Sequence, residues 1–202
     1  WIYLDKKERN AVVIFTIVSG ILVYVHANVP VSDYHPQVWG SFESAFRHGL
    51  FQVLAIVTTT GFVTADFTNW TPFLTVFFFA LMFLGGCSGS TSGGIKVVRH
   101  LLIIKNGILE FKRTLHPSAL IPVRYNEKSV SEHIVYNIIG FFVLYMLLFI
   151  ICAMGLAFLG LDFESAVGGA ASSLGNVGPA LGELNPVVNF NSLPKIGKWW
   201  CG

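Results

Sequence analysis

Apolar positions along the chain gather into three uncharged stretches, each long enough to cross a bilayer, and the polar positions between them organise the sequence. Ala11 to Ala27 is apolar and follows Lys6, Lys7 and Arg9; Phe67 to Ile95 carries no formal charge; Ile134 to Leu161 is uncharged for 28 residues. A spanning helix needs about 20 mostly apolar residues, and a longer one fits by tilting. Each stretch therefore predicts a membrane helix. Beyond Lys96, the residues Val97, Val98, Leu101, Leu102, Ile104, Ile108 and Leu109 recur at helical spacing among Lys105, Lys112 and Arg113. That pattern predicts an amphipathic continuation that breaks before His116-Pro117. The first stretch also has the form of a signal peptide, with Val25-His26-Ala27 resembling a cleavage site. The later spans and the absence of an initiating methionine favour a span within a fragment. The closing Lys198-Trp199-Trp200 is an interfacial cluster that introduces a further span.

Composition supports lipid as the main solvent: 53% of the 202 residues are apolar and 12% charged. No length remains for a soluble catalytic domain. Cys87, Cys152 and Cys201 lie far apart with no second ligand pattern, which argues against a disulfide framework or a zinc site, and the six histidines show no ligand spacing. The apolar stretches offer Ser, Thr, Asn137 and Cys but no His-carboxylate or paired-carboxylate set, so an intramembrane enzyme is disfavoured. The net charge of +2 informs only through its distribution. Seven of the thirteen Lys and Arg fall between Lys96 and Lys128 and three in the first nine residues, which assigns both regions to the cytoplasm. Asn28 to Trp70 and Asp162 to Pro194 hold only Arg47 between them and face outward. Their apolar, glycine-bearing character predicts segments that dip into the membrane, which is tolerated only where the backbone is buried in protein or lines a wet cavity.

The two outward segments share a tetrapeptide. Phe42-Glu43-Ser44-Ala45 recurs as Phe163-Glu164-Ser165-Ala166, each opening a helical pattern after a cap residue, Ser41 or Asp162. Glu43 and Glu164 then sit in first turns, where the helix dipole favours them. Each helix runs into a polar turn: Thr58-Thr59-Thr60-Gly61-Phe62 in one copy, Gly175-Asn176-Val177-Gly178-Pro179 in the other. Ala45 to Gly61 is 16 positions and Ala166 to Gly178 is 12, a difference of about one helical turn, so the helix face keeps its register. No carboxylate lies within three residues of either glycine. If these turns line a pore, carbonyl oxygens rather than an acidic ring would meet the ion; otherwise they are glycine-rich external turns between packed helices.

A second glycine cluster interrupts the Phe67–Ile95 stretch, with Gly85, Gly86, Gly89, Gly93 and Gly94 set among Ser88, Ser90, Thr91 and Ser92. A regular helix there would be weak. Two readings stand on physics alone: a small-xxx-small packing face of Gly85, Gly89 and Gly93, or an unwound intramembrane loop. A phosphate loop is excluded, because Val97 rather than Ser or Thr follows Lys96 and the glycine spacing is wrong. Lys96 and Arg99 read most simply as positive-inside anchors.

Together, the Thr-Thr-Thr-Gly-Phe turn, the run Gly85-Gly86-Cys87-Ser88-Gly89-Ser90-Thr91-Ser92-Gly93-Gly94-Ile95-Lys96 and Leu174-Gly175-Asn176-Val177-Gly178-Pro179 resemble the Trk/Ktr superfamily of potassium-uptake proteins, nearest its TrkH-type pore subunits. The resemblance covers essentially the whole chain. It implies an all-α membrane protein of span, pore-loop, span repeats, with re-entrant pore helices and a glycine-rich broken helix. It further implies a multi-pass inner-membrane location and a ring of four units. Residues 1–10 would be a cytoplasmic segment, 11–110 the third unit, 111–132 a cytoplasmic linker, and 133–202 a fourth unit truncated at the start of its second span. The implied function is potassium uptake. K+ would be held by Thr59, Thr60, Gly61, Asn176, Val177 and Gly178, and gated at Gly85, Gly86, Gly89, Gly93, Gly94 and Lys96. The partners implied are membrane lipid, the remaining units of the pore subunit, a second pore subunit in a homodimer, and a cytoplasmic TrkA-type nucleotide-binding regulator; neither an organic cofactor nor nucleic acid is implied. The alternative within transport is a pore-loop cation channel of another family, assembled from several two-loop chains.

Overall fold

The computed structural model describes residues 41–116, 121–126, 128–185 and 193–201, together with Asn10, Val13 and Ile17; for 41–45 the description is of the backbone. The expected first span and most of the N-terminal segment lie outside these residues. In chain order come α1 (Ser41–Val57), a 3-10 turn at Phe67–Asn69, α2 (Pro72–Met82), β1 (Leu84–Gly85), β2 (Ile95–Lys96) and α3 (Val97–Leu115). They are followed by β3 (Arg124–Tyr125), β4 (Lys128–Ser129), α4 (Glu132–Phe158), α5 (Phe163–Gly175), a 3-10 turn at Gly182–Leu184, and α6 (Lys195–Cys201).

The chain is mostly helical, with two departures from an all-helix expectation. Strands β1 and β2 pair in parallel, Leu84 opposite Ile95 and Gly85 opposite Lys96, and β3 with β4 makes an antiparallel hairpin. The first pair has a direct cause. Leaving the helix strands backbone groups that must find partners, and here the two limbs of the glycine run supply them: Ile95 N–H donates to Phe83 O and Val97 N–H to Gly86 O, both at 3.3 Å.

The Phe67–Ile95 stretch is broken at its glycine run rather than helical throughout. Its regular part is α2, 11 residues and about 16 Å long. Pro72 occupies its first turn, where a missing N–H costs nothing, and Thr71 caps it by accepting from Leu74 N–H at 3.3 Å. It ends at Met82, where the glycines begin, and helix resumes at Val97. As the apolar spacing predicts, α3 continues to Leu115, with His116 as its C-terminal cap.

Helix α4 spans 27 residues, about 40 Å, and is the one helix among the described residues long and apolar enough to cross a membrane by length and composition. Of its residues only Val135, Tyr145 and Leu156 are buried, while Val143, Leu144, Leu147, Ile150 and Met154 are exposed. A helix apolar on every face belongs inside protein or lipid. Helix α5 is the reverse case. Ser165, Ala166, Gly168, Gly169, Ala170, Ala171, Ser172 and Gly175 are all buried. These small residues let Leu156 of α4 close on Ala166 and Ala170.

One apolar cluster joins the two halves. Val53, Ile56 and Val57 of α1 and Leu74, Phe78, Leu81 and Met82 of α2 pack with Phe67 and with Ala171, Val177 and Leu181 from the second half. Full burial of a side chain such as Phe78 or Ile56 is worth about 1.5–3 kcal/mol. The cluster thus sets how the ends of α1 and α5 approach each other. A separate cluster of Leu102, Val123 and Val135 holds α3, the hairpin and α4 together.

Candidate functional site

The two repeated helices end alike. Helix α1 has 17 residues and α5 has 13, the four-residue difference expected from their sequences. In α1, Thr59 N–H donates to Ile56 O at 3.0 Å and Thr60 N–H to Ala55 O at 2.9 Å. In α5, Asn176 N–H donates to Ser173 O at 3.2 Å and Val177 N–H to Ser172 O at 2.9 Å. This pair of bonds is the Schellman C-cap, which requires a left-handed residue at the first position past the helix. Thr59 and Asn176 both supply it, at φ 52°. Asparagine tolerates that region, whereas a β-branched threonine is held there at a cost of about 1–2 kcal/mol. Two residues on, Gly61 at φ 74° and Gly178 at φ 104° turn left-handed again. Both copies therefore trace the same double bend.

The bends meet. A β-carbon on Gly61 would lie 2.5 Å from Val177 O, and one on Gly178 would lie 3.6 Å from Gly61 Cα. Only glycine fits at position 61, for its dihedral and for the space. Thr59, Thr60, Gly61, Asn176, Val177 and Gly178 thus form one neighbourhood at the C-terminal, partially negative ends of two helices. Among the described residues, no donor reaches the carbonyl oxygens of Thr58 to Gly61 or of Asn176 to Gly178. The amides, by contrast, are engaged. Gly61 N–H points to Ala55 O at 3.4 Å, and Gly178 N–H donates to Ser172 Oγ at 3.0 Å. Such an arrangement suits a cation that needs oxygen ligands.

The glycine run lies against this neighbourhood. Gly93 N–H donates to Thr59 Oγ1 at 3.2 Å, and a β-carbon on Gly93 would overlap Gly175 O and come within 3.0 Å of Asn176 Cβ. A β-carbon on Gly94, just before β2, would lie 3.2 Å from Gly85 N, and Gly86 N–H donates to Ser92 Oγ at 2.9 Å. Gly89 meets nothing within 4 Å. The small-xxx-small packing face is overturned, because Gly85, Gly89 and Gly93 share no helix. Lys96 differs from a simple anchor. Its ammonium turns back onto the loop and donates to Ser90 O at 2.9 Å, to Ser92 Oγ at 3.2 Å and to Ser92 O. Arg99 instead stacks over the Phe141 ring at 3.9 Å, tying the start of α3 to α4.

Several supporting residues escaped the sequence reading. Ser172 holds the second bend through Gly178. His48 and Gln52, one turn apart on α1, brace the segment leaving the first bend: His48 Nδ1 lies 3.2 Å from Thr64 Oγ1, and Gln52 Nε2 donates to Ala65 O at 2.9 Å. Gln52 is fully buried in an apolar stretch, and its polarity at that position was the available signal. Tyr145 Oη is buried without a hydrogen-bond partner among the described residues, 3.9 Å from where a Gly175 β-carbon would be. Asp162 caps α5 as expected. Hydrogen bonding by Ser165, through its side chain and its amide, holds the Asp162 carboxyl below its ordinary range. The Ser41 cap and the Glu43 side chain lie outside the described residues.

The family model described as TrkH, cation transport protein, matches residues 10–200. The Trk system potassium uptake protein TrkH of Halomonas elongata is 36% identical over 197 residues, covering 98% of this chain and 39% of its own length. TrkI of the same organism, also a Trk system potassium uptake protein, is 40% identical over 153 residues, covering 74% of this chain and 30% of its own length. The crystal structure of the potassium transporter TrkH from Vibrio parahaemolyticus superposes with a TM-score of 0.79 at 34% identity, over 95% of this chain and 39% of that one. This chain thus spans about two fifths of the length of such relatives.

Proposed function

This chain belongs to the TrkH family of cation transport proteins, which are transporters and not enzymes, and from that premise we propose that it forms part of a potassium-uptake pore in the cell inner membrane. Residues 11–110 are one span, pore-loop, span unit and 133–202 hold the span, the pore loop and the start of the second span of another; α1 and α5 are their pore helices. K+ sheds water against the backbone oxygens of Thr59, Thr60 and Gly61 in one unit and of Asn176, Val177 and Gly178 in the other. Further units of the complete pore subunit supply the rest of the ring. The run from Gly85 to Gly94, with Gly86, Gly89, Gly93 and Lys96, is the gate below it. Membrane lipid surrounds the spans, a second pore subunit completes a homodimer, and a cytoplasmic TrkA-type nucleotide-binding regulator acts on the gate from the basic side.

The observation that supports this most is the contact between the two double bends, Gly61 against Val177 O, with no donor among the described residues on their carbonyls. Unpaired backbone oxygens at membrane depth need a ligand or water, and a monovalent cation answers that need without any carboxylate. The test is Gly61→Ser in the complete protein, assayed by uptake in cells lacking other potassium systems. The expected outcome is impaired selectivity for potassium over sodium; selectivity equal to wild type would remove the filter assignment.

A further inference from the structure

The ammonium of Lys96 points to a cation site inside the glycine loop. Its three N–H donors have three oxygens to meet, Ser90 O, Ser92 O and Ser92 Oγ, so the donor set is matched one to one. Those oxygens are organised by bonds that do not involve Lys96. Ser90 N–H and Ser90 Oγ–H both close on Cys87 O at 2.9 Å, Ser90 Oγ and Ser92 Oγ lie 2.7 Å apart, and Gly86 N–H donates to Ser92 Oγ. The loop would hold its oxygens converged if the ammonium left. Three converging oxygen dipoles without a positive charge repel one another, and they favour any compact monovalent cation that replaces it.

We propose that Ser90 and Ser92 form a monovalent-cation site that the Lys96 ammonium occupies in this conformation, as a tethered competitor of the permeant ion. Ammonium and K+ carry the same charge at similar size, and both accept carbonyl oxygens in place of water. The loop thereby senses potassium. An ion arriving at Ser90 and Ser92 displaces Lys96, the last residue of β2, and frees the loop from the start of α3. This inference rests on the gate reading above and adds to it the ligand of the gate and the residue that competes for it.

The test uses the complete protein as Lys96→Met and Lys96→Gln, with Lys96→Arg keeping the charge. Tl+ is located by its anomalous scattering. The expected result is a Tl+ peak beside Ser90 O and Ser92 O in the two neutral variants, half-occupied at a Tl+ concentration roughly tenfold below wild type, and no such gain in Lys96→Arg. Absence of that peak while Tl+ still occupies the region of Gly61 and Gly178 overturns this inference and leaves the pore reading standing. Absence of Tl+ from both regions removes both. If the neutral variants do not fold, Tl+ titration of the wild-type protein decides. Loop occupancy that rises as Lys96 Nζ withdraws supports competition, and a loop that stays empty at filter-saturating Tl+ refutes it.

Discussion

Replacing Thr59 with valine removes one oxygen and little else. Valine keeps the β-branch and the volume, so the left-handed strain at φ 52° is unchanged. What disappears is the acceptor for Gly93 N–H, 3.2 Å away. A neutral hydrogen bond contributes about 0.5–1.5 kcal/mol net, and a partly buried amide left unpaired adds to that, so the loop loses about 1–2 kcal/mol of attachment to the bend. Gly93 cannot recover it by shifting inward, because Gly175 O already occupies that side. An equilibrium between docked and undocked loop therefore moves by a factor of about 5–30. With the docked loop closed, Rb+ flux through the complete protein in vesicles, measured without regulator, rises in Thr59→Val towards that factor. Thr59→Ser retains the hydroxyl and stays near the wild-type flux. Unchanged flux in Thr59→Val, or an equal rise in both variants, would refute the idea that this bond couples bend and loop.

Other outcomes follow from the same structure. Gly107 lies within α3 with nothing within 4 Å of its missing β-carbon, so Gly107→Ala should stabilise the detergent-purified protein by about 0.5–1 kcal/mol, read as a higher Tm. Gly155→Ala sets a β-carbon 2.6 Å from the Trp200 ring and breaks the 3.2 Å bond from Trp200 Nε1 to Cys152 O; a loss of about 1–2 kcal/mol and altered Trp200 fluorescence are expected. The Asp162 carboxyl sits below its ordinary value of 3.8 in the folded chain, mainly through Ser165. Its contribution is therefore fully present above the unfolded pKa and is lost as pH falls through the folded one. Thermal unfolding followed under acid should show that part of the pH dependence vanish in Asp162→Asn, since asparagine still caps but does not titrate.

Much of the site's local form could be read from the residues. The recurrence of Phe-Glu-Ser-Ala, the four-residue difference in helix length and the paired glycines anticipated two helices with the same ending, and the left-handed turns at Thr59 and Asn176 occupy equivalent positions. The amphipathic spacing after Lys96 anticipated α3 to its last turn. Within Phe67–Ile95 the glycine run marked the break, but the limits of α2 and the pairing of the loop upon itself were not legible. Absence of charge measures transfer into lipid and says nothing about backbone geometry, so it could not distinguish one long span from α2, a self-paired loop and a second start at Val97.

Helix ends, caps and breaks are set by groups within five residues of one another, and the sequence by itself determined those: where α1 and α5 stop, and that glycine must follow each bend. Which backbone oxygen Gly61 faces, how Gly93 reaches Thr59, and the return of Lys96 to Ser90 and Ser92 belong to the tertiary structure. The first two depend on the rigid approach of elements far apart in sequence, fixed when Val53, Ile56 and Phe78 bury themselves against Ala171 and Val177. The third depends on how the self-paired loop folds upon itself. Non-directional apolar burial chose that approach, and the directional bonds at the site then had to fit within it.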